Sequence, residues 1–251
     1  MDEVIVGRHP VREALRSGRP LNKIYVAAGR THGLAEIRAL ARERGVPVCR
    51  VDRLYLDRLA PGVGHQGVAA VVAAYPYVEL EDLLAGAAEP LLVVLDQVFD
   101  PHNLGSIVRV AEAAGATGVV LPKRRTAGLT AAVAKAAAGA LEYVRVARVG
   151  NLAVALRYLR QRGLWVVGAD PGAATRLWDL SLTGPLAVVV GGEDRGLGRA
   201  VRAACDVLVR IPMAGRVTSL NVAVATGVVL YEVLRQRDNK QTFVNCGTKL
   251  T

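Results

Sequence analysis

The chain of 251 residues carries 32 lysines and arginines against 22 aspartates and glutamates, a formal net charge of +10, and 52% of it is hydrophobic. That much apolar sequence supplies one large core or two modest ones and excludes an intrinsically disordered chain. Three widely spaced cysteines, Cys49, Cys205 and Cys246, form no C-x-x-C pair, which excludes a disulfide framework and a cysteine-based zinc site.

From the N-terminus, apolar periodicity and Gly/Pro punctuation predict a helix over 11–15, a strand over 23–27 and a helix over 34–44 stopped by Gly45. A strand over 46–51, a helix over 53–59 and a strand over 68–73 complete a small α/β unit, residues 1–75. The acidic, Ala/Gly-rich stretch that follows Tyr75-Pro76-Tyr77 reads as a linker, residues 76–90. The second unit, residues 91–237, opens with Leu91-Leu92-Val93-Val94-Leu95-Asp96, an apolar run of the kind a buried parallel strand shows. A helix over 104–114, a strand over 119–121, an Ala-rich helix over 130–138 and a strand from 144 come next. They are followed by a helix over 152–162, strands over 164–168, 186–190 and 207–211, and a last helix over 220–237. This alternation predicts a parallel sheet covered on both faces, with ligands bound beyond the carboxyl ends of its strands.

Residues 238–251 change in composition: two of the chain's five lysines fall in these 14 residues, and Asn, Gln and Thr replace Ala, Val and Arg. They read as a disordered or appended tail outside the fold. The N-terminus has no basic segment followed by an apolar one, and no stretch reads as a membrane span, so a soluble cytoplasmic protein is expected. The basic balance suits a polyanionic partner. Of the 32 cations 27 are arginines, whose guanidinium grips phosphate in a bidentate fork, although a GC-rich genome encodes the same bias. Residues 1–75 hold 12 basic and 7 acidic side chains, and residues 76–237 hold 18 and 14, which makes the smaller unit the better candidate for holding RNA.

Three loops after strands of the second unit gather its glycines and polar residues. The first, Asp100-Pro101-His102-Asn103-Leu104-Gly105-Ser106, enters a helix that carries Arg109. Asn103 reads as that helix's N-cap, and Arg109 taken alone reads as an ordinary surface arginine. The second, Gly191-Gly192-Glu193-Asp194-Arg195-Gly196, follows an apolar strand, and its glycines allow close approach of a ligand to backbone. It fits neither a P-loop nor the dinucleotide fingerprint of a first strand, which disfavours nucleotide hydrolysis and NAD chemistry. The third runs from Ile211-Pro212-Met213 to Ser219-Leu220-Asn221, where Ser219 or Asn221 would cap the last helix. No His, Cys or carboxylate cluster has metal-ligand spacing, so no metal is expected.

Taken together, the three loops resemble the signature motifs of the TrmH family, the RNA ribose 2′-O-methyltransferases of the SPOUT superfamily. The first motif matches Asn103 through Arg109, the second Gly191-Gly192-Glu193 with Gly196, and the third Ile211-Pro212-Met213 with Ser219-Leu220-Asn221. Gly7-Arg8-His9-Pro10-Val11 and His65-Gln66-Gly67-Val68 resemble the small substrate-binding domain of the branch that modifies a guanosine of bacterial 23S ribosomal RNA. The resemblance implies an α/β methyltransferase domain with a C-terminal trefoil knot, a homodimer, S-adenosylmethionine as cofactor and ribosomal RNA as partner. It further implies a catalytic cluster of Asn103, Arg109, Glu193, Ser219 and Asn221, and backbone contacts to the cofactor from Gly191, Ile211 and Leu220. In one departure, Asp194-Arg195 follows Glu193 where relatives usually have glycine directly after the Glu. Two other readings stand beside this one: a transfer RNA methyltransferase, which the separate N-terminal unit disfavours, and a non-catalytic RNA-binding or ribosome-assembly protein, which need not keep all three motifs.

Overall fold

A computed structural model describes residues 2–28, 34–73, 75–193 and 195–247. By packing, the chain divides into two units, of which the first comprises residues 1–76, 100–109 and 127–143 and the second the remainder. In chain order the N-terminal elements are β1 (Asp2–Val6), α1 (Arg8–Ser17), β2 (Leu21–Ala27), α2 (Ala35–Glu43), β3 (Val48–Val51), α3 (Arg53–Leu59) and β4 (Val68–Ala73). The strands form a sheet in the order β1-β4-β2-β3, with only β2 and β3 parallel. Leu56 of α3 packs with Val6, Ala60 and Ala69, and Tyr25 and Val51 flank them. α3 starts where Asp52 accepts a hydrogen bond from the Tyr55 amide at 2.6 Å.

The following elements are β5 (Leu91–Asp96), α4 (Pro101–Ala113), β6 (Gly118–Pro122), α5 (Ala131–Ala136), β7 (Val146–Val149) and α6 (Leu152–Gln161). They continue with β8 (Trp165–Ala169), β9 (Thr175–Arg176), β10 (Leu186–Gly191), α7 (Arg199–Arg202), β11 (Val207–Arg210) and α8 (Val222–Gly247). The sheet order is β7-β6-β5-β10-β8-β11-β9, and every pairing is parallel. All six residues of β5 are buried, as its unbroken apolar run predicts. Leu92, Val94, Leu156, Leu159, Val166 and Val189 share one core. Burying each such side chain contributes about 1.5–3 kcal/mol.

Four expectations are corrected. The stretch 76–90 is no free linker: Leu83 is fully buried, Leu80 nearly so, and the Val78 amide bonds the Val146 carbonyl at 3.0 Å. Its acidic, small-residue composition hides two core leucines. The division near residue 75 is also incomplete, because α5 and the turn after it pack with the N-terminal elements. There Arg19 pairs with Glu142 at 3.1 Å and lies 3.3 Å over the Tyr75 ring, and Tyr143 donates to Glu13 at 2.8 Å. The last helix does not stop at 237 but continues to Gly247, so the expected tail begins inside it; its last four residues lie outside the described residues. Arg237 anchors that helix by donating to the carbonyls of Glu89 and Gly184 at 3.2 and 2.8 Å. Finally, Asn103 is not the cap of α4. The helix begins at Pro101, and Asp100 accepts from the His102 amide at 3.0 Å. Proline at the first helical position needs no intrahelical donor, and the helix starts three residues earlier than expected.

Candidate functional site

A pocket of about 320 Å³ lies at the carboxyl ends of β8, β10 and β11, where a parallel sheet collects its ligand-facing loops. Its wall is apolar where Val190, Val209, Ile211, Met213, Leu220 and Val222 contribute, and polar at Asp170, Glu193, Arg195, Arg202, Thr218 and Ser219.

The loop after β10 is held by backbone. The Gly192 amide donates to the Asp96 carbonyl at 2.8 Å, and the Gly196 amide returns to the Gly192 carbonyl at 2.9 Å. Asp96, only 7% exposed at the end of β5, accepts from the Gly198 amide at 2.7 Å through Oδ2. Asp96 thus ties both ends of the glycine loop to the neighbouring strand, one through its backbone carbonyl and the other through its buried carboxylate. A Cβ at Gly191 would stand 2.1 Å from the Gly196 carbonyl carbon, and one at Gly192 2.2 Å from the Gln97 oxygen. Glycine at both positions is required by close approach of backbone.

The segment after β11 supplies the opposite wall, and Asn221 joins the two. Its Oδ1 accepts from the Ala223 and Val224 amides at 2.9 and 3.3 Å, capping α8, while its Nδ2 donates to Glu193 Oε1 at 2.8 Å. One amide side chain starts the helix and orients the carboxylate. Of the expected residues, Gly191, Ile211, Leu220, Glu193 and Ser219 line this pocket, and Asn221 bonds to it through Glu193. Asn103 and Arg109 lie on α4 in the stretch that packs with the first unit, Arg109 with its side chain exposed. Asp194, where the sequence departs from the motif, lies outside the described residues.

Sequence reasoning missed the loop after β8. Asp170 lines the pocket, accepts from the Gly172 amide at 2.8 Å and pairs with Arg202 of α7. The available signal is a further strand end followed by Asp-Pro-Gly, which reads as an ordinary turn until β8 is known to lie beside β10. Cys205 offers no nucleophile: burial, and then the charges of Asp206 and Asp170, push its thiol up to about 11. Among the described residues no group of His, Cys, Asp or Glu is arranged to hold a metal ion, and no helix is long and apolar enough to cross a membrane.

Comparison with known proteins gives concordant results. Residues 90–231 match the model of the SpoU rRNA Methylase family, and residues 4–78 match that of RNA 2′-O ribose methyltransferase substrate binding. A protein of Bacillus subtilis (strain 168), YacO, named as a TrmH family tRNA/rRNA methyltransferase, is 47% identical over 241 residues covering 94% of this chain and 96% of that protein. The SpoU methyltransferase AviRb from Streptomyces viridochromogenes, solved with AdoMet, superposes with a TM-score of 0.81 at 27% identity, over 94% of this chain and 90% of that one. The AdoMet-bound rRNA methyltransferase from Sinorhizobium meliloti does so at 0.78 and 28%, over 93% and 87%.

Proposed function

Because the chain belongs to the SpoU rRNA methylase family, also called TrmH, we propose that it methylates a ribose 2′-hydroxyl of RNA, on a guanosine of the large ribosomal RNA. It is an RNA methyltransferase that uses S-adenosylmethionine, the cofactor held by the solved relatives. The observation that carries the reading is the pocket in which the second and third motif loops meet, joined by the Asn221–Glu193 bond.

The residues present suit that cofactor. The apolar wall of Ile211, Leu220 and Val222 offers a surface for an adenine face, and the glycines at 191 and 192 let the loop that rims it pack directly on neighbouring backbone. When bound, S-adenosylmethionine supplies an electrophilic methyl group for in-line transfer to oxygen. The chain's own task is to orient the ribose and ease loss of the hydroxyl proton, so positioning carries the rate. Glu193, fixed by Asn221, presents a carboxylate at the pocket, and Ser219 of the same lining supplies a hydroxyl donor or acceptor. Arg109, whose guanidinium offers a planar fork of N–H donors and no acceptor, is assigned to gripping the substrate phosphate or polarising the 2′-oxygen, and Asn103 to supporting it. Residues 1–75 serve as the RNA-binding domain, a role supported by the substrate-binding match. Assembly as a homodimer is supported by Val224 and Tyr231, each 53% exposed and two turns apart on one face of α8. The trefoil knot and a cytoplasmic location belong to the same proposal.

The test is incubation with labelled S-adenosylmethionine and unmodified ribosomal RNA or transfer RNA, followed by mapping of the labelled nucleotide. Label on a 2′-oxygen of a 23S guanosine is expected; label on a base, or on transfer RNA alone, overturns the finer reading. Arg109→Ala should slow single-turnover transfer by on the order of a hundredfold or more, the usual cost of losing one such electrostatic partner, while cofactor affinity stays unchanged. Wild-type turnover in that variant would remove Arg109 from the reaction.

A further inference from the structure

On α2, Arg38 and Arg42 are four residues apart, which sets them one above the other on a single helix face. Val48 and Arg50 alternate along β3 and so share one side of that strand. β3 is the outer strand of its sheet, with only β2 beside it. These four residues and Val46 line a cleft of about 380 Å³ in the first unit. Among the described residues, the ion pairs of Glu36 go to Arg12 and Arg16, and none reaches Arg38, Arg42 or Arg50. The next arginine, Arg44, is turned elsewhere and donates to the Arg16 carbonyl at 3.1 Å.

Three guanidiniums around one cleft repel one another, and an anion seated between them relieves that repulsion. The rest of the lining is apolar, from Val46 and the 37%-exposed Val48. Cations interleaved with apolar surface match the alternation of phosphate and sugar along a nucleic acid strand, whereas a small free anion would use the charges and leave the valines without a role. We infer that the cleft between α2 and β3 holds the sugar-phosphate backbone of the RNA substrate, with Arg38, Arg42 and Arg50 on phosphates and Val46 and Val48 against ribose. The inference rests on the proposed RNA methyltransferase reading and goes beyond the substrate-binding match, which covers residues 4–78 without assigning a face.

The experiment uses the full chain and a fluorescently labelled 30-nucleotide RNA hairpin, with binding followed by anisotropy across a salt series. Each phosphate contact adds roughly 0.7 to 0.9 to the slope of log affinity against log salt, so Arg38→Ala/Arg42→Ala/Arg50→Ala should lower that slope by about 2. The charge-keeping Arg38→Lys/Arg42→Lys/Arg50→Lys should retain it, and cofactor affinity by calorimetry should be the same in both variants. A wild-type slope in the alanine variant overturns the inference. So does an equal loss in the lysine variant, because the loss would then reflect altered folding and not charge. A protein that binds the hairpin through this cleft yet transfers no methyl group would end the proposed function and leave the cleft standing.

Discussion

In the second unit the pocket is built from backbone: two glycines packed against neighbouring peptide groups, a loop tied to β5 by Asp96, and a helix start capped by Asn221. In the first unit the cleft is built from side chains that project from an exposed helix face and an outer strand. A site made of backbone is held by the sheet beneath it and has no spare volume, so it can present atoms at fixed positions. A site made of exposed side chains keeps its charge while each member moves, which suits a long, variable polymer. The two should therefore answer to substitution in opposite ways: the first fails when an atom is added, the second only when charge is removed.

The largest effect is expected at Gly191. Gly191→Ala places a methyl group on the Gly196 peptide, which has no flexible end to yield, so S-adenosylmethionine affinity should fall by more than about a hundredfold. Calorimetry with a parallel thermal melt checks this, and wild-type affinity would show that the loop is not the rigid half of the comparison. Next is Asp96. Asp96→Ala leaves the Gly198 amide without its acceptor, at a cost of about 1–3 kcal/mol in stability, with cofactor affinity lower by about tenfold. Asp96→Asn keeps an acceptor oxygen and should stay near wild type in both measurements. If the Asn variant fails as badly as the Ala variant, it is the charge and not the hydrogen bond that holds the loop. The smallest effect is expected on the surface of the first unit: Leu54 of α3 is 68% exposed, and Leu54→Ala should change stability by no more than about 0.5 kcal/mol in urea denaturation.

Much of the second unit is legible in the amino-acid sequence, because buried parallel strands are continuous apolar runs and β5 and β10 are such runs. The pocket loops are legible for the same reason, since glycines and polar residues follow those runs directly. Other features depend on contacts remote in sequence. Asp170 becomes a pocket residue only because β8 pairs with β10, and Leu83 becomes core only because it packs under β6 against Gly118. β1 and the two-residue β9 are too short or too charged at one end to show a period. The cap of α4 is ambiguous in sequence because Asp100 and Asn103 are both good capping residues, and only Pro101 decides between them.

The order of these parts along the chain bears on how the protein is made. The strands of the second unit up to β11 are complete by residue 210, but the wall from Ile211 to Leu220, the Asn221 bond to Glu193 and the anchoring of α8 by Arg237 all come later. During synthesis from the N-terminus, a nascent chain can therefore assemble its first unit and most of its parallel sheet before the pocket has its second wall. The proposed site is complete only with the final helix, so a polypeptide released early near residue 215 is expected to lack methyl transfer even with its first unit folded.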